Sequence, residues 1–188
     1  AALGAGLPVH RQARAKGSPI ETVAVHLTPS PLIRHQTSAA YARPRDRETA
    51  DHSFFSLLAL GLCDGELQPA QFAARRYEHA DVLAMSDRLQ FTFDLDAGDP
   101  GLFSARLDAR LQDGSQVSVA TPYPPGHPGN PLDTPGLLAK WHGLAQDALT
   151  PQQAEALARQ CLEGSRATPV AALLAPLALR HPELERTP

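Results

Sequence analysis

Ala105, Leu107, Ala109 and Leu111 alternate with Arg106, Asp108, Arg110 and Gln112, and the dipeptide Asp113-Gly114 follows at once. A period of two sends one set of side chains to a buried face and the other to a polar face of a strand. Asp-Gly directly behind such a run is the strongest short-range hairpin signal, because a type I′ turn needs positive φ at both central residues. Residues 115–121 are therefore expected as the returning strand, and the chain must build antiparallel sheet. Two more alternating runs join it. In residues 20–28, Val23, Val25 and Leu27 interleave with Thr22, Ala24 and His26, and Pro29 and Pro31 end the run. Residues 89–95 carry Leu89, Phe91, Phe93 and Leu95 at the same spacing.

The remainder reads mainly as helix. Residues 1–16 form a helical pattern closed by Gly17. Residues 49–62 are the most apolar helical segment, expected to be buried, with Asp51 and Ser53 as capping oxygens and Asp64-Gly65 as the stop. Residues 66–88 read as short helices turning Phe72, Val82 and Leu83 inward. Past a Pro/Gly-rich loop at 123–131, three helix starts share one signature: Thr134-Pro135, Thr150-Pro151 and Thr168-Pro169. Threonine caps the free N–H groups, and proline takes the first helical position, where its missing donor costs nothing. Gln153 completes a capping box with Thr150, and the alanine-leucine run at 171–179 continues as helix. Residues 30–48, polar and carrying Arg34, Arg43, Arg45 and Arg47, read as a surface loop. The expected class is α+β: a small, mainly antiparallel sheet with a hairpin at Asp113-Gly114, packed by helices and followed by C-terminal helices.

Composition narrows the partners. At 188 residues, with 43% apolar and 20% charged side chains, the chain can bury a core as one domain with an appendage. A net charge of -3 provides no basic footprint for nucleic acid or an anionic membrane. The longest apolar runs, 54–62 and 170–179, are far shorter than the roughly 20 residues of a bilayer span. Cys63 and Cys161 sit in apolar, helix-like patterns, as reduced buried thiols do. No export signal is visible, so a cytoplasmic protein is expected. The sequence has no initiator methionine and opens inside a helical pattern, which leads us to expect a fragment. Metal and phosphate motifs (H-E-x-x-H, C-x-x-C, G-x-x-x-x-G-K-[ST], G-x-G-x-x-G) and the G-x-S-x-G elbow are absent, so no metal is expected.

Two segments stand out as candidate binding sites. Asp51-His52-Ser53 heads the apolar helix, where free backbone N–H groups and the helix dipole favour a carboxylate, and His52 is suited to donate to it or transfer a proton. The plainer reading is a cap beside an exposed histidine. Gly126-His127-Pro128-Gly129-Asn130-Pro131 is a loop whose glycines let a ligand or neighbouring segment approach the backbone; its plainer reading is a rigid connector. The arginines at 34–47 suit a polycarboxylate or a partner subunit, or form a solvated basic loop.

Thr49-Ala50-Asp51-His52-Ser53, followed by an apolar helix ending Leu62-Cys63-Asp64-Gly65-Glu66-Leu67, resembles the second domain of the MmgE/PrpD family, which contains methylcitrate dehydratase and cis-aconitate decarboxylase. The later order agrees: Phe72 in a short helix, the strand at 89–95, Leu111-Gln112-Asp113-Gly114, Tyr123-Pro124-Pro125-Gly126-His127-Pro128-Gly129-Asn130-Pro131-Leu132, then Lys140-Trp141. The resemblance covers roughly residues 20–162. It implies a lid-like α+β domain at 18–148, preceded at 1–17 by the end of a helix from an all-helical domain and followed by a helical extension at 149–188. It further implies the C-terminal part of a cofactor-independent lyase on small di- and tricarboxylic acids, in the manner of 2-methylcitrate dehydratase, working as a homodimer. The catalytic acid and base groups would lie in the helical domain, outside this chain. Asp51, His52, Ser53, Gly126 and His127 are the residues expected to meet substrate. The alternative is a non-catalytic, stand-alone binding or dimerisation module. Two positions depart from the family pattern: Ser56, where many relatives carry tyrosine, and Pro125, where they often carry a basic residue.

Overall fold

The computed structural model describes residues 1–95, 104–146, 148–164 and 168–175. The chain divides into two compact units, Ala1–Pro131 and Leu132–Pro188.

In the first unit, α1 (Ala2–Lys16) ends where Gly17 turns left-handed, as expected, and β1 (Ile20–Leu27) follows. Residues 30–48 do not stay a loop: they wind into α2 (Pro31–Gln36), α3 (Ala39–Ala42) and the start of α4 (Arg47–Asp51). Local caps make these turns. Ser30 Oγ accepts from Ile33 N–H at 3.1 Å with Pro31 just behind it, and Asp46 Oδ1 accepts from Thr49 N–H at 2.7 Å. No residue of α2 or α3 is buried, so the apolar periodicity that announces a helix is missing from their sequence. Then come α5 (Phe54–Asp64), α6 (Pro69–Ala73), a 3₁₀ turn at Arg76–Glu78, α7 (Ala80–Ser86), β2 (Leu89–Thr92), β3 (Ala105–Leu111) and β4 (Gln116–Thr121). Of the inward set, Phe72 and Val82 are buried while Leu83 is half-buried. The β2 ladder stops at Thr92, three residues short of the expected end.

The strand order is β2-β1-β3-β4, with β1 parallel to β2 and both other pairings antiparallel. This is the expected α+β class with a mostly antiparallel sheet. Pairing in register collects Val23, Val25, Leu107, Ala109, Leu89 and Val117 on one face, which α1 covers with Ala5 and Val9, while Leu58 and Leu62 of α5, packed against α1, join the same core. Thr22, Ala24, His26, Arg106, Asp108 and Ser118 take the other face. The hairpin forms, but not as type I′. Gly114 N–H donates to Leu111 O at 3.0 Å and Leu111 N–H to Ser115 O at 2.9 Å, and only Gly114 has positive φ, at 81°. The three-residue loop is thus a type I turn closed by a left-handed glycine, which spares Asp113 the strained conformation.

The second unit contains α8 (Thr134–Ala145), α9 (Pro151–Glu163) and α10 (Val170–Leu174). Thr150 and Gln153 form the expected capping box. The other two starts differ by one residue. Asp133 caps α8, accepting from Gly136 N–H at 2.8 Å, because a carboxylate one residue earlier outcompetes the Thr134 hydroxyl. At α10 the cap position falls on Pro169 and not on Thr168. The remainder of the expected helix, from residue 176, lies outside the described residues. Cys63 is half-buried and burial pushes its thiol up to about 11, whereas Cys161 is exposed, contrary to the expectation of two buried thiols. Among the described residues no helix is long and apolar enough to cross a membrane.

Candidate functional site

Asp51, His52 and Ser53 sit on the joint between two helices, and not in the first turns of one. The segment expected as a single helix from residue 49 breaks there. Asp51 closes α4, His52 is its C-terminal cap, and Ser53 is the cap of α5. Asp51 therefore caps nothing; the capping carboxylate of this region is Asp46. The break is enforced from a distance. Ser53 Oγ donates to Tyr41 O at 2.7 Å while accepting from Ser56 N–H at 3.1 Å, and the residue is 0% exposed. Its hydroxyl proton and one lone pair are thus engaged inside the protein, and Ser53 serves as the buried peg on which the joint hangs. Behind it, Phe54 and Phe55 pack edge-on against Phe91, with ring centroids 6.4 and 4.8 Å away. Ser56 is buried.

His52 is the exposed member of the joint. Its Nδ1 lies 2.9 Å from the Glu48 carbonyl oxygen and 2.6 Å from Asp51 Oδ1. The Glu48 carbonyl, with the Asp51 carboxylate second, raises the histidine above its ordinary range by favouring a ring that carries its protons. Among the described residues Nε2 makes no hydrogen bond. His52 thus offers solvent a single ring nitrogen at a joint held by hydrogen bonds, a geometry suited to meeting a carboxylate or passing one proton.

Gly126 and His127 lie in a loop that staples itself. Gly126 N–H donates to Asn130 O at 2.9 Å, His127 N–H to Pro124 O at 3.1 Å, and Asn130 Nδ2 to Tyr123 O at 3.0 Å. The His127 ring stacks on Tyr123 at 4.7 Å, and its Nδ1 accepts from Gly129 N–H at 3.0 Å. Gly129 is required by that stack, since a Cβ there would come within 2.8 Å of the Tyr123 ring. Pro125 rests on α1, its Cδ 3.0 Å from where a Cβ on Gly4 would sit. None of the hydrogen bonds of Asp51, His52 or Ser53 reaches this loop, so the five expected residues form two separately held groups.

Sequence reasoning missed a third group, on the polar face of the sheet. His26 of β1 lies between two carboxylates: Nδ1 is 2.8 Å from Asp94 Oδ2 and Nε2 is 3.1 Å from Asp108 Oδ2. Arg106 Nε donates to Asp108 Oδ2 at 3.0 Å, and the Thr92 hydroxyl donates to Asp94 Oδ1 at 3.2 Å. The hydrogen bond from His26 holds Asp94 below the usual carboxylate range. Burial pushes Asp108 up, but Ser118 and Arg106 together outweigh it and hold Asp108 low. The only trace of this cluster in the sequence is that its strand members alternate with core residues; their meeting depends on the register between β1 and β3. Among the described residues no three His, Cys, Asp or Glu side chains are grouped to hold a metal ion.

No curated protein matches the chain. The family model described as MmgE/PrpD C-terminal domain does, over residues 1–164, a span that takes in the helical joint, the His26 cluster and the Gly126 loop. On that match, which covers most of its length, the chain belongs to the MmgE/PrpD family and carries that family's C-terminal domain.

Proposed function

We propose that the chain is the C-terminal part of a lyase acting on small di- or tricarboxylic acids, most simply a dehydratase of the 2-methylcitrate type, and that His52 faces the substrate. The observation that carries this reading is the His52 joint: within a domain of this family, it leaves one ring nitrogen of His52 open to solvent, while the Glu48 carbonyl holds the other nitrogen and Ser53 is anchored to Tyr41 O. Dehydration of such a substrate removes a proton beside a carboxylate and expels the β-hydroxyl, steps that need a positioned base and acid. In this reading those groups come from a helical domain outside the chain, and Asp51, His52, Gly126 and His127 contribute to substrate recognition while Ser53 fixes the joint. The active assembly is a homodimer in the cytoplasm and uses no metal or cofactor.

The test is a steady-state assay of the complete polypeptide with 2-methylcitrate, following the unsaturated product. Product formation that falls in His52→Asn through a higher KM supports the reading. Absence of product from an otherwise folded complete protein refutes the dehydratase. Turnover by the 188 residues alone refutes the placement of the chemistry outside them.

A second reading, a non-catalytic binding or dimerisation module, draws on the second unit, where Leu137, Leu162, Val170 and Leu174 remain exposed. Sedimentation of the chain over a range of concentrations tests it: a stable dimer without turnover in any form of the protein favours the module.

A further inference from the structure

His52 has a proton whose place is dictated by its surroundings. A carbonyl oxygen only accepts, so the 2.9 Å contact between His52 Nδ1 and Glu48 O requires a hydrogen on Nδ1 in the neutral ring as well as in the charged one. The Asp51 carboxylate, 2.6 Å from the same nitrogen, adds a charge that stabilises the imidazolium. The Glu48 carboxylate acts in the same sense, more weakly. The proton that comes and goes is therefore the one on Nε2, which has no partner among the described residues. His127 is built the other way: its Nδ1 accepts from Gly129 N–H, so its fixed proton is on Nε2.

We propose that Glu48 and Asp51 divide the positioning of His52, the Glu48 carbonyl fixing the tautomer and the Asp51 carboxylate holding the charge, so that Nε2–H is the atom that binds a carboxylate of the ligand. The ligand half of this assignment rests on the functional reading above, while the tautomer half stands on the geometry alone. Asp51 is here a positioning residue, acting through His52. The break between α4 and α5 serves the same end. With Ser53 anchored to Tyr41 O, the α4 turn that carries both Glu48 and Asp51 is held beside His52.

The experiment is a nitrogen-15 titration of the histidines in the full 188-residue chain, followed by titration with citrate as the probe. Above its midpoint His52 is expected to show a protonated Nδ1 and a bare Nε2; a bare Nδ1 overturns the proposal. In Asp51→Asn the tautomer should persist while the midpoint drops by about 0.5 pH, and Asp51→Glu should restore it. An unchanged midpoint in a variant with native amide dispersion shows that Asp51 is merely structural and overturns its assigned part. Citrate should raise the His52 midpoint saturably, with the Nε2 resonance moving more than Nδ1. A saturable response elsewhere that spares His52 overturns the ligand assignment alone. No saturable response anywhere refutes the ligand assignment together with the substrate-binding part of the functional reading, and leaves the tautomer result standing.

Discussion

The units Ala1–Pro131 and Leu132–Pro188 solve the same problem differently. The first closes its core on itself: a sheet face of Val23, Val25, Leu107, Ala109 and Leu111 is covered by α1, with α5 packed against that helix, and every one of those residues is essentially fully buried. Among the described residues, the second gathers Ala145, Leu149, Ala154 and Leu157 around Trp141, while Leu137, Leu144, Leu162, Val170 and Leu174 are exposed. Apolar burial is the main source of folding stability, at roughly 25 cal/mol per Å². The first unit therefore carries most of it. What the contrast teaches is that the candidate site rests on the well-packed unit, where a joint such as His52-Ser53 is backed by core, and that among the described residues of the helical unit caps and single hydrogen bonds carry a larger share of the order.

The strongest way to break this contrast is Leu107→Ala. Leu107 is 0% exposed at the centre of β3, and truncating it should cost about 2–5 kcal/mol. Urea unfolding followed by circular dichroism should shift by that amount. Trp141, the only tryptophan, lies in the second unit and donates from Nε1 to Ala154 O at 2.9 Å, so its fluorescence reports that unit separately. Its transition should hardly move. A coincident shift of both signals would mean that the two units unfold as one.

Thr150→Ala sharpens the comparison from the other side. The Thr150 hydroxyl accepts from Gln153 N–H at 3.3 Å, while Gln153 Oε1 returns to Thr150 N–H at 2.9 Å. Losing this box should cost about 1 kcal/mol. That is a large fraction of what a small helical unit has to spend. The tryptophan transition should shift by it while the bulk of the dichroism signal stays in place.

These residues also show which features the sequence makes legible. Strands with one buried face announce themselves through alternation, and Thr150-Pro151 announces a helix start through local chemistry. Residues 31–48 were hidden because the helices α2 and α3 bury nothing and so lack apolar period. The joint at Asp51-His52-Ser53 was visible as a motif but not as a break, since the peg that splits α4 from α5 is Tyr41 O, twelve residues upstream. Asp133 and Thr134 competed for one cap position within a single residue. The His26 cluster was invisible for a different reason: it exists only once β1, β2 and β3 are in register, and strand order does not follow from the pattern of any one strand.

A smaller effect distinguishes the edge of the first unit. Arg76 donates to Asp81 Oδ1 and Oδ2 at 2.6 Å each and to Asp64 Oδ1 at 2.8 Å. The Arg76 hydrogen bond holds Asp81 at about 2, below its ordinary 3.8. A carboxyl depressed by folding contributes stability above its unfolded value and loses it as pH falls through the folded one. Arg76→Gln should therefore lower stability by about 1 kcal/mol or less near neutrality. The gap to the parent protein should close between about pH 4 and pH 2, as read from denaturation midpoints across an acid series. A gap that stays constant over that range would show that Arg76 acts through packing and not through charge.

Leu174→Lys probes the uncovered face with the least expected effect on stability. Leu174 is 55% exposed at the end of α10, beside Leu137, Leu162 and Val170. A lysine there keeps its stem over the apolar neighbours and its charge in water, so the unfolding midpoint should move by no more than about 0.5 kcal/mol. Binding of a hydrophobic dye, and any concentration-dependent association of the chain, should fall. A loss of several kcal/mol would instead show Leu174 to be a core residue, covered in solution by some other part of the same chain. The second unit would then be as self-contained as the first, and the exposed face would no longer favour the module reading.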